Sequence, residues 1–312
     1  MSRVACIGAG LVGCGWAAVF ARAGREVRLY DIDPDAIEAR ALPMIRAVLE
    51  DLEAQGMGGP TADEAFARIS GSDTVAAAVE AADYVQESAR EDLEVKQALF
   101  AEIAAHASAG CILASSTSAL PGSSFLTAIP APERALVAHP VNPPSHIPLV
   151  ELCGTGKTSE ATIAAAHRFL SDAGMEPVTL HKEIDGFLLN RLQFTLVAEA
   201  MHLVAEGYCS AEDIDKVMTS GLALRWSTLG PFMTVHLNAA GGFNGFVEQL
   251  GPMMKHLGRS ARTDYDWTPE QADRIRQWLD AACPVAEISQ AQQTRNRNIL
   301  ATRRLQGGDD RD

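Results

Sequence analysis

The 312-residue sequence contains no C-x-x-C pair and no H-x-x-x-H or similar ligand spacing among its eight histidines. Its six cysteines, Cys6, Cys14, Cys111, Cys153, Cys209 and Cys283, are scattered. This excludes a zinc knuckle and a disulfide frame, and no metal site is expected; the thiols read as small core hydrophobes in a reducing compartment. No apolar run approaches the ~20 residues that cross a bilayer. Positive charge is scarce: 26 Lys and Arg stand against 40 Asp and Glu, a net charge of −14. Nucleic acid and anionic membrane surfaces are therefore poor partners. The chain passes from Met1-Ser2-Arg3 straight into an apolar strand with no hydrophobic signal region, so a soluble cytoplasmic protein is expected. Repeats and low-complexity tracts are also missing. What is present is 47% apolar and 21% charged residues, enough for a sizeable core.

Up to about residue 181 the pattern alternates strand and helix. Val4–Ile7 predicts a strand, Gly15–Ala23 a helix stopped by Gly24, Glu26–Ile32 a strand, and Asp33-Pro34 the start of a long helix to about Leu52. The stretch 56–72, with Gly-Met-Gly-Gly-Pro, reads as a break. Tyr84–Glu87, Ile112–Ser115, Ala135–His139, Pro148–Cys153 and Pro177–Leu180 read as strands, with helices at Leu93–His106 and Ser159–Ala173. Alternation of this kind implies a mostly parallel sheet covered on both faces. After Asp185 only helical patterns remain: Leu189, Leu192, Leu196, Ala200 and Leu203 predict one buried helix face, with further helices at 211–219, 231–256, 269–282 and 288–305. The acidic tail Gly307–Asp312 is expected to fray. The expectation is an α/β, doubly wound domain over 1–184 and a smaller all-helical domain over 185–312.

The segment Gly8-Ala9-Gly10-Leu11-Val12-Gly13 follows the first strand and opens the first helix. A lone G-x-G-x-x-G is weak, but here Asp31 ends the next strand, completing a Rossmann-type dinucleotide unit. The pyrophosphate would sit on the helix N-terminus, where unpaired N–H groups and the dipole favour an anion. Asp31 would accept hydrogen bonds from ribose hydroxyls and repel a 2′-phosphate, so the cofactor read here is NAD, with Arg28 and the basic residues before it pulling toward NADP.

His139, in His139-Pro140-Val141-Asn142-Pro143, and Glu151, closing Leu149-Val150-Glu151, fall at strand ends in this reading. A histidine oriented by a carboxylate can take the proton of an alcohol. Spacing alone favours a structural histidine and a surface glutamate.

The segments GAGLVG, LYDID, ASSTSAL, VAHPVNPP…PLVEL and DGFLLNRLQ occur in an order and spacing that resemble the L-3-hydroxyacyl-CoA dehydrogenase superfamily. LVGCGWA and GLALRWSTLGPFMTVHLNAAG are similar to its lambda-crystallin branch, the L-gulonate 3-dehydrogenases. The resemblance implies His139 as catalytic base, Glu151 as its partner, and Ser118 and Asn190 as groups on the substrate oxygen. It implies Glu91 and Lys96 as cofactor contacts beside Asp31, and pairing of subunits through the helical domain into a homodimer. Ser116 departs from the acyl-CoA relatives, which usually carry Asn there. Since lambda-crystallin itself is a lens protein, a non-enzymatic scaffold is the other class to weigh; retention of all four reactive residues speaks for an enzyme.

A CoA thioester needs Lys or Arg for its phosphates. The sequence has no lysine before Lys96, and Pro43–Val95 holds three arginines (Arg46, Arg68, Arg90) against twelve acids. Arg225, beside Trp226, stands where acyl-CoA members usually have Tyr-Pro, and a guanidinium there suits a free carboxylate. The expected substrate is a small free 3-hydroxy acid such as L-gulonate; L-carnitine and short-chain 3-hydroxyacyl-CoA remain open alternatives.

Overall fold

The structure, a computed structural model, describes residues 2–264 and 268–306; the tail Gly307–Asp312 falls outside them. Contacts divide the chain into two compact units, Met1–Leu188 with Asn296–Ala301, and Leu189–Arg295 with Thr302–Asp312.

The first unit is built on one eight-stranded sheet. Its strands are β1 (Arg3–Ile7), β2 (Glu26–Tyr30), β3 (Ile69–Gly71), β4 (Tyr84–Glu87), β5 (Ile112–Ser115), β6 (Ala135–Pro140), β7 (Leu149–Gly154) and β8 (Glu176–Leu180), in the order β3-β2-β1-β4-β5-β6-β7-β8. The order reverses at β1, so the crevice between β1 and β4 is the switch point at which open α/β sheets take ligands. Every pair is parallel except β6–β7. The near-continuous apolar strands follow from burial on both faces. Val4 and Cys6 of β1 pack on one side with Trp16, Phe20, Ile45 and Leu49. Ala5 and Ile7 pack on the other with Val79, Phe100 and Ile103.

The helices of this unit are α1 (Leu11–Arg22), α2 (Pro34–Ala36), α3 (Leu42–Ala54), α4 (Ala62–Phe66), α5 (Val75–Val79), α6 (Leu93–His106) and α7 (Glu160–Ser171). Helix α1 starts four residues before the expected Gly15, because the glycine loop itself supplies its first turn. A π-helical turn at Ile37–Ala41 splits the expected long helix after Asp33. The stretch expected as a break holds α4, closed by a capping box between Thr61 and Glu64, and the short strand β3. Of the cysteines, Cys6, Cys14, Cys111 and Cys153 are buried, whereas Cys209 and Cys283 are partly exposed.

The second unit is helical throughout its described residues: α8 (Leu189–Ala205), α9 (Ala211–Val217), α10 (Ala223–Trp226), α11 (Pro231–Leu237), α12 (Gly242–Ser260), α13 (Pro269–Ala282) and α14 (Ile288–Gln306), the last also crossing into the first unit. The stripe expected to be the buried face of α8 is not buried. Leu192 is 72% exposed, and Leu196, Ala200 and Leu203 line an open groove of about 450 Å³ with Ile214, Val217 and Met218. The helix buries Ala198, Met201 and Val204 instead. The periodicity was that of an apolar face, and the described residues of the unit cover it only in part.

Candidate active site

The cofactor loop follows from three glycines with three different constraints. Gly8 has φ +102°, and a Cβ there would lie 2.7 Å from the Ser88 carbonyl carbon and oxygen. A Cβ on Gly13 would lie 1.8 Å from the Gly8 oxygen, so only glycine lets α1 approach the loop this closely. At Gly10, the N-cap of α1, an added Cβ would meet nothing within 4 Å. Open space therefore lies before a helix end whose first N–H groups have no partner within the helix. Leu11 and Val12 supply two of these groups, and the Leu11 side chain is itself exposed.

Asp31 fastens the loop to β2: one carboxylate oxygen accepts the Ala9 N–H at 2.7 Å and the other the Asp33 N–H at 3.0 Å. Each oxygen keeps a lone pair for a ribose hydroxyl. Arg28 donates to Ser70 of β3 at 2.7 Å, which engages its guanidinium away from a 2′-phosphate. These residues fit NAD.

His139 and Glu151 lie inside their strands, not at strand ends. The single antiparallel pairing sets them opposite one another across the β6–β7 ladder, where side chains on one face touch. His139 Nδ1 and Glu151 Oε2 are 2.9 Å apart, and both residues are buried. A carboxylate only accepts, so Nδ1 carries the proton and Nε2 is left as the basic nitrogen. The other Glu151 oxygen accepts the Leu188 N–H at 2.7 Å. Phe187 stacks on the His139 ring at 5.0 Å between centroids, held at φ +50° behind Gly186 at φ +76°. A non-glycine residue in the left-handed region is a local strain that packing must hold.

Ser118 is exposed after β5, and its loop hangs on Glu91. Glu91 Oε1 accepts the Thr117 hydroxyl at 2.5 Å and the N–H groups of Ser118 and Ala119 at 2.9 Å each. Burial pushes the Glu91 carboxyl upward, but the Thr117, Ala119 and Ser118 donors together with Lys96 outweigh it and hold the pKa below its ordinary value. Lys96 is 1% exposed, behind this carboxylate. Its ammonium donates to both Glu87 oxygens at 2.8 and 3.0 Å and forms an ion pair with Glu91 at 3.4 Å. The direct cofactor contact expected of Lys96 is thus not offered by this arrangement, because the head group is buried and engaged. Glu87 further accepts from the Ser115 hydroxyl at 2.6 Å and the Ala89 N–H at 2.7 Å. Asn190, second residue of α8, and Arg225, exposed on α10, belong to the helical unit.

Two groups of residues escaped the sequence reading. Phe187 lay within a quoted motif, yet nothing local marked it as packing on His139. Ser116 is the centre of a polar knot with Trp16, Gln86 and Ser88, drawn from α1 and from the ends of β4 and β5. Only the sheet order brings these residues together.

The family models for the 3-hydroxyacyl-CoA dehydrogenase NAD binding domain and C-terminal domain match residues 3–184 and 186–264. The chain belongs to the 3-hydroxyacyl-CoA dehydrogenase family. As a member it is an NAD-dependent oxidoreductase, and its sheet and glycine loop are those of that family's cofactor domain. It is 40% identical over 283 residues to a lambda-crystallin homolog of Bos taurus, covering 90% of this chain and 88% of that one. It is 38% identical over 308 residues to L-carnitine dehydrogenase of Streptomyces coelicolor, covering 98% and 95%. Among solved structures, an NAD+-dependent dismutase, 5-formyl-3-hydroxy-2-methylpyridine 4-carboxylic acid 5-dehydrogenase, superposes with TM-score 0.85 at 27% identity, over 99% of this chain and 100% of that one.

Proposed function

We propose that this dehydrogenase oxidises the 3-hydroxyl of a small free 3-hydroxy acid, with L-gulonate the first candidate, to the 3-oxo acid. The observation that carries the reading is the buried His139–Glu151 pair, 2.9 Å across two strands. Bound NAD supplies the hydride acceptor for the hydrogen on carbon 3. His139 takes the hydroxyl proton on Nε2, and Glu151 stabilises the imidazolium that results while the Leu188 N–H fixes its own orientation. Phe187 keeps the imidazole plane in place. Ser118, on the loop that Glu91 steadies, and Asn190 donate hydrogen bonds to the reacting oxygen as it becomes a carbonyl.

The region 43–95 supports a free acid over a thioester. Arg46 is bound to Asp63 at 2.7 Å and lies over Phe66, and Arg68 bonds the Glu64 carbonyl. Lys96, the first lysine, is buried. Few cations remain there for the phosphates of CoA. Arg225 is assigned to the substrate carboxylate. L-carnitine is the second reading, favoured by the near full-length similarity to an L-carnitine dehydrogenase; Trp226, 39% exposed, is the aromatic side chain such a trimethylammonium would need.

The first unit holds the cofactor in this reading, and the helical unit from about residue 185 carries substrate groups and pairs two copies into a homodimer. Leu192, Phe232, Val247, Met253 and Met254 are each at least 48% exposed, a large apolar area for a lone subunit. Among the described residues no helix is long and apolar enough to cross a membrane. With the free thiols, this supports work in the cytoplasm.

The test is NADH formation at 340 nm with L-gulonate, L-carnitine, 3-hydroxybutyrate and 3-hydroxybutyryl-CoA in parallel. Turnover of a free acid well above that of the thioester is expected, and Arg225→Met should raise KM for that acid. Faster turnover of the thioester would overturn the free-acid reading. Light scattering on the purified protein should return twice the chain mass.

A further inference from the structure

The polar knot under the glycine loop fixes the direction of one hydroxyl proton. Gln86 Nε2 donates to the Ala138 carbonyl at 3.3 Å, and because a carbonyl only accepts, the amide orientation is set. Its oxygen then takes the Tyr84 hydroxyl at 3.0 Å, which burial keeps protonated by raising its pKa. The same Nε2 donates to Ser116 Oγ at 2.7 Å, and the Trp16 indole N–H, a donor only, reaches Ser116 Oγ at 3.1 Å. Both lone pairs of Ser116 are filled. Its own proton must go to its third neighbour, Ser88 Oγ, at 2.8 Å. Ser88 therefore accepts from Ser116, and its proton points away from the knot.

Ser88 stands at the carboxyl end of β4, beside Gly8 of the cofactor loop and across the switch point from β1. Its backbone is tied there by the Ser88 N–H donating to the Ile7 carbonyl at 2.7 Å. It is half-buried, while Tyr84, Gln86 and Trp16 behind it are fully buried. A solvent-facing serine needs no such arrangement. The strands also give the direction along the dinucleotide. Asp31, at the end of β2, takes the adenosine ribose; the loop after β1 takes the pyrophosphate; β4 lies on the far side of β1. The nicotinamide riboside is the part of the dinucleotide that continues past the pyrophosphate on that side.

We propose that Ser88 is a cofactor-binding residue whose hydroxyl, oriented by Ser116, donates a hydrogen bond to the nicotinamide riboside half of NAD. Ser116 is its positioning residue. The proposal rests on NAD binding and not on the choice of hydroxy acid, so it stands or falls separately from the substrate.

The experiment is calorimetric titration of Ser88→Ala and the parent enzyme with NAD and, separately, with AMP, which carries only the adenosine half. Ser88→Ala should weaken NAD by about three- to tenfold, the effect of one lost hydrogen bond, and leave AMP affinity within about twofold. Unchanged NAD affinity would overturn the proposal. So would parallel losses for NAD and AMP, which would mean that the substitution disturbs the loop and not a contact to the nicotinamide half.

Discussion

Glu151→Gln is the sharpest perturbation of the proposed reaction, because it changes one atom while keeping size and shape. In the parent protein both carboxylate oxygens accept, one from His139 Nδ1 at 2.9 Å and one from the Leu188 N–H at 2.7 Å. A carboxamide can accept on one side only. If its oxygen stays on Leu188, its NH2 faces Nδ1, which must become the acceptor; the proton moves to Nε2 and the base is lost. If its oxygen faces His139, two donors meet at Leu188 in a site where Glu151 is 1% exposed. The first outcome removes general-base catalysis, about 10² to 10⁴ in kcat. The second leaves a buried donor unsatisfied, about 1–3 kcal/mol, or roughly 2–12 °C of Tm for a unit of this size. The assay is steady-state kcat with the best free acid, together with NAD affinity and a thermal melt. NAD affinity should stay near the parent value, since the Glu151 partners His139 and Leu188 lie outside the glycine loop. A variant with kcat within tenfold of the parent and an unchanged melting temperature would refute the assignment of the pair.

Three further outcomes are expected. His139→Gln should lower kcat by ~10²-fold or more with little change in NAD affinity by titration; surviving turnover would put the base elsewhere. Asp31→Ser should weaken NAD by about tenfold or more, because it removes the ribose acceptor and the tie to Ala9 N–H, and it should narrow the preference over NADP, both read by titration with the two cofactors. The Glu91 carboxyl sits below its ordinary value of 4.5 when folded, so its stabilisation of the Ser118 loop is fully present above that value and is lost as pH falls through the lowered one. Glu91→Gln should therefore flatten the acid limb of Tm against pH below about 4.5, and an unchanged acid limb would show that the carboxylate does not hold the loop.

The cofactor end could be read from the sequence because it is local. Glycine spacing, the apolar strand before it and Asp31 all lie within about thirty residues, and each has a backbone reason to be there. The alternation of strands and helices gave the sheet and the helical region beyond it for the same reason. β3 and α4 were hidden by Gly-Met-Gly-Gly-Pro, since three residues of strand and five of helix leave no measurable period. Lys96 looks like a surface cation on α6; only its fold neighbours Glu87 and Glu91 make it a buried one. The pairing of His139 with Glu151 depends on β7 running against β6 in one register, and no motif states a register. The open stripe on α8 shows the converse limit: periodicity says that a face is apolar, not what covers it.

The knot around Ser116 has a consequence for how such a site can change over time. Its surroundings are two fixed donors, Trp16 and Gln86, and one acceptor, Ser88, and they are matched to a small hydroxyl. Asparagine at 116 would have to turn its oxygen to both donors and its amide to Ser88 in a space shaped for serine. The exchange would therefore be costly alone and tolerable only with changes at 16, 86 and 88, a case of strong non-additivity among touching residues. The four positions are therefore expected to act as one unit in mutagenesis, and changing any single one of them will misreport what the set does.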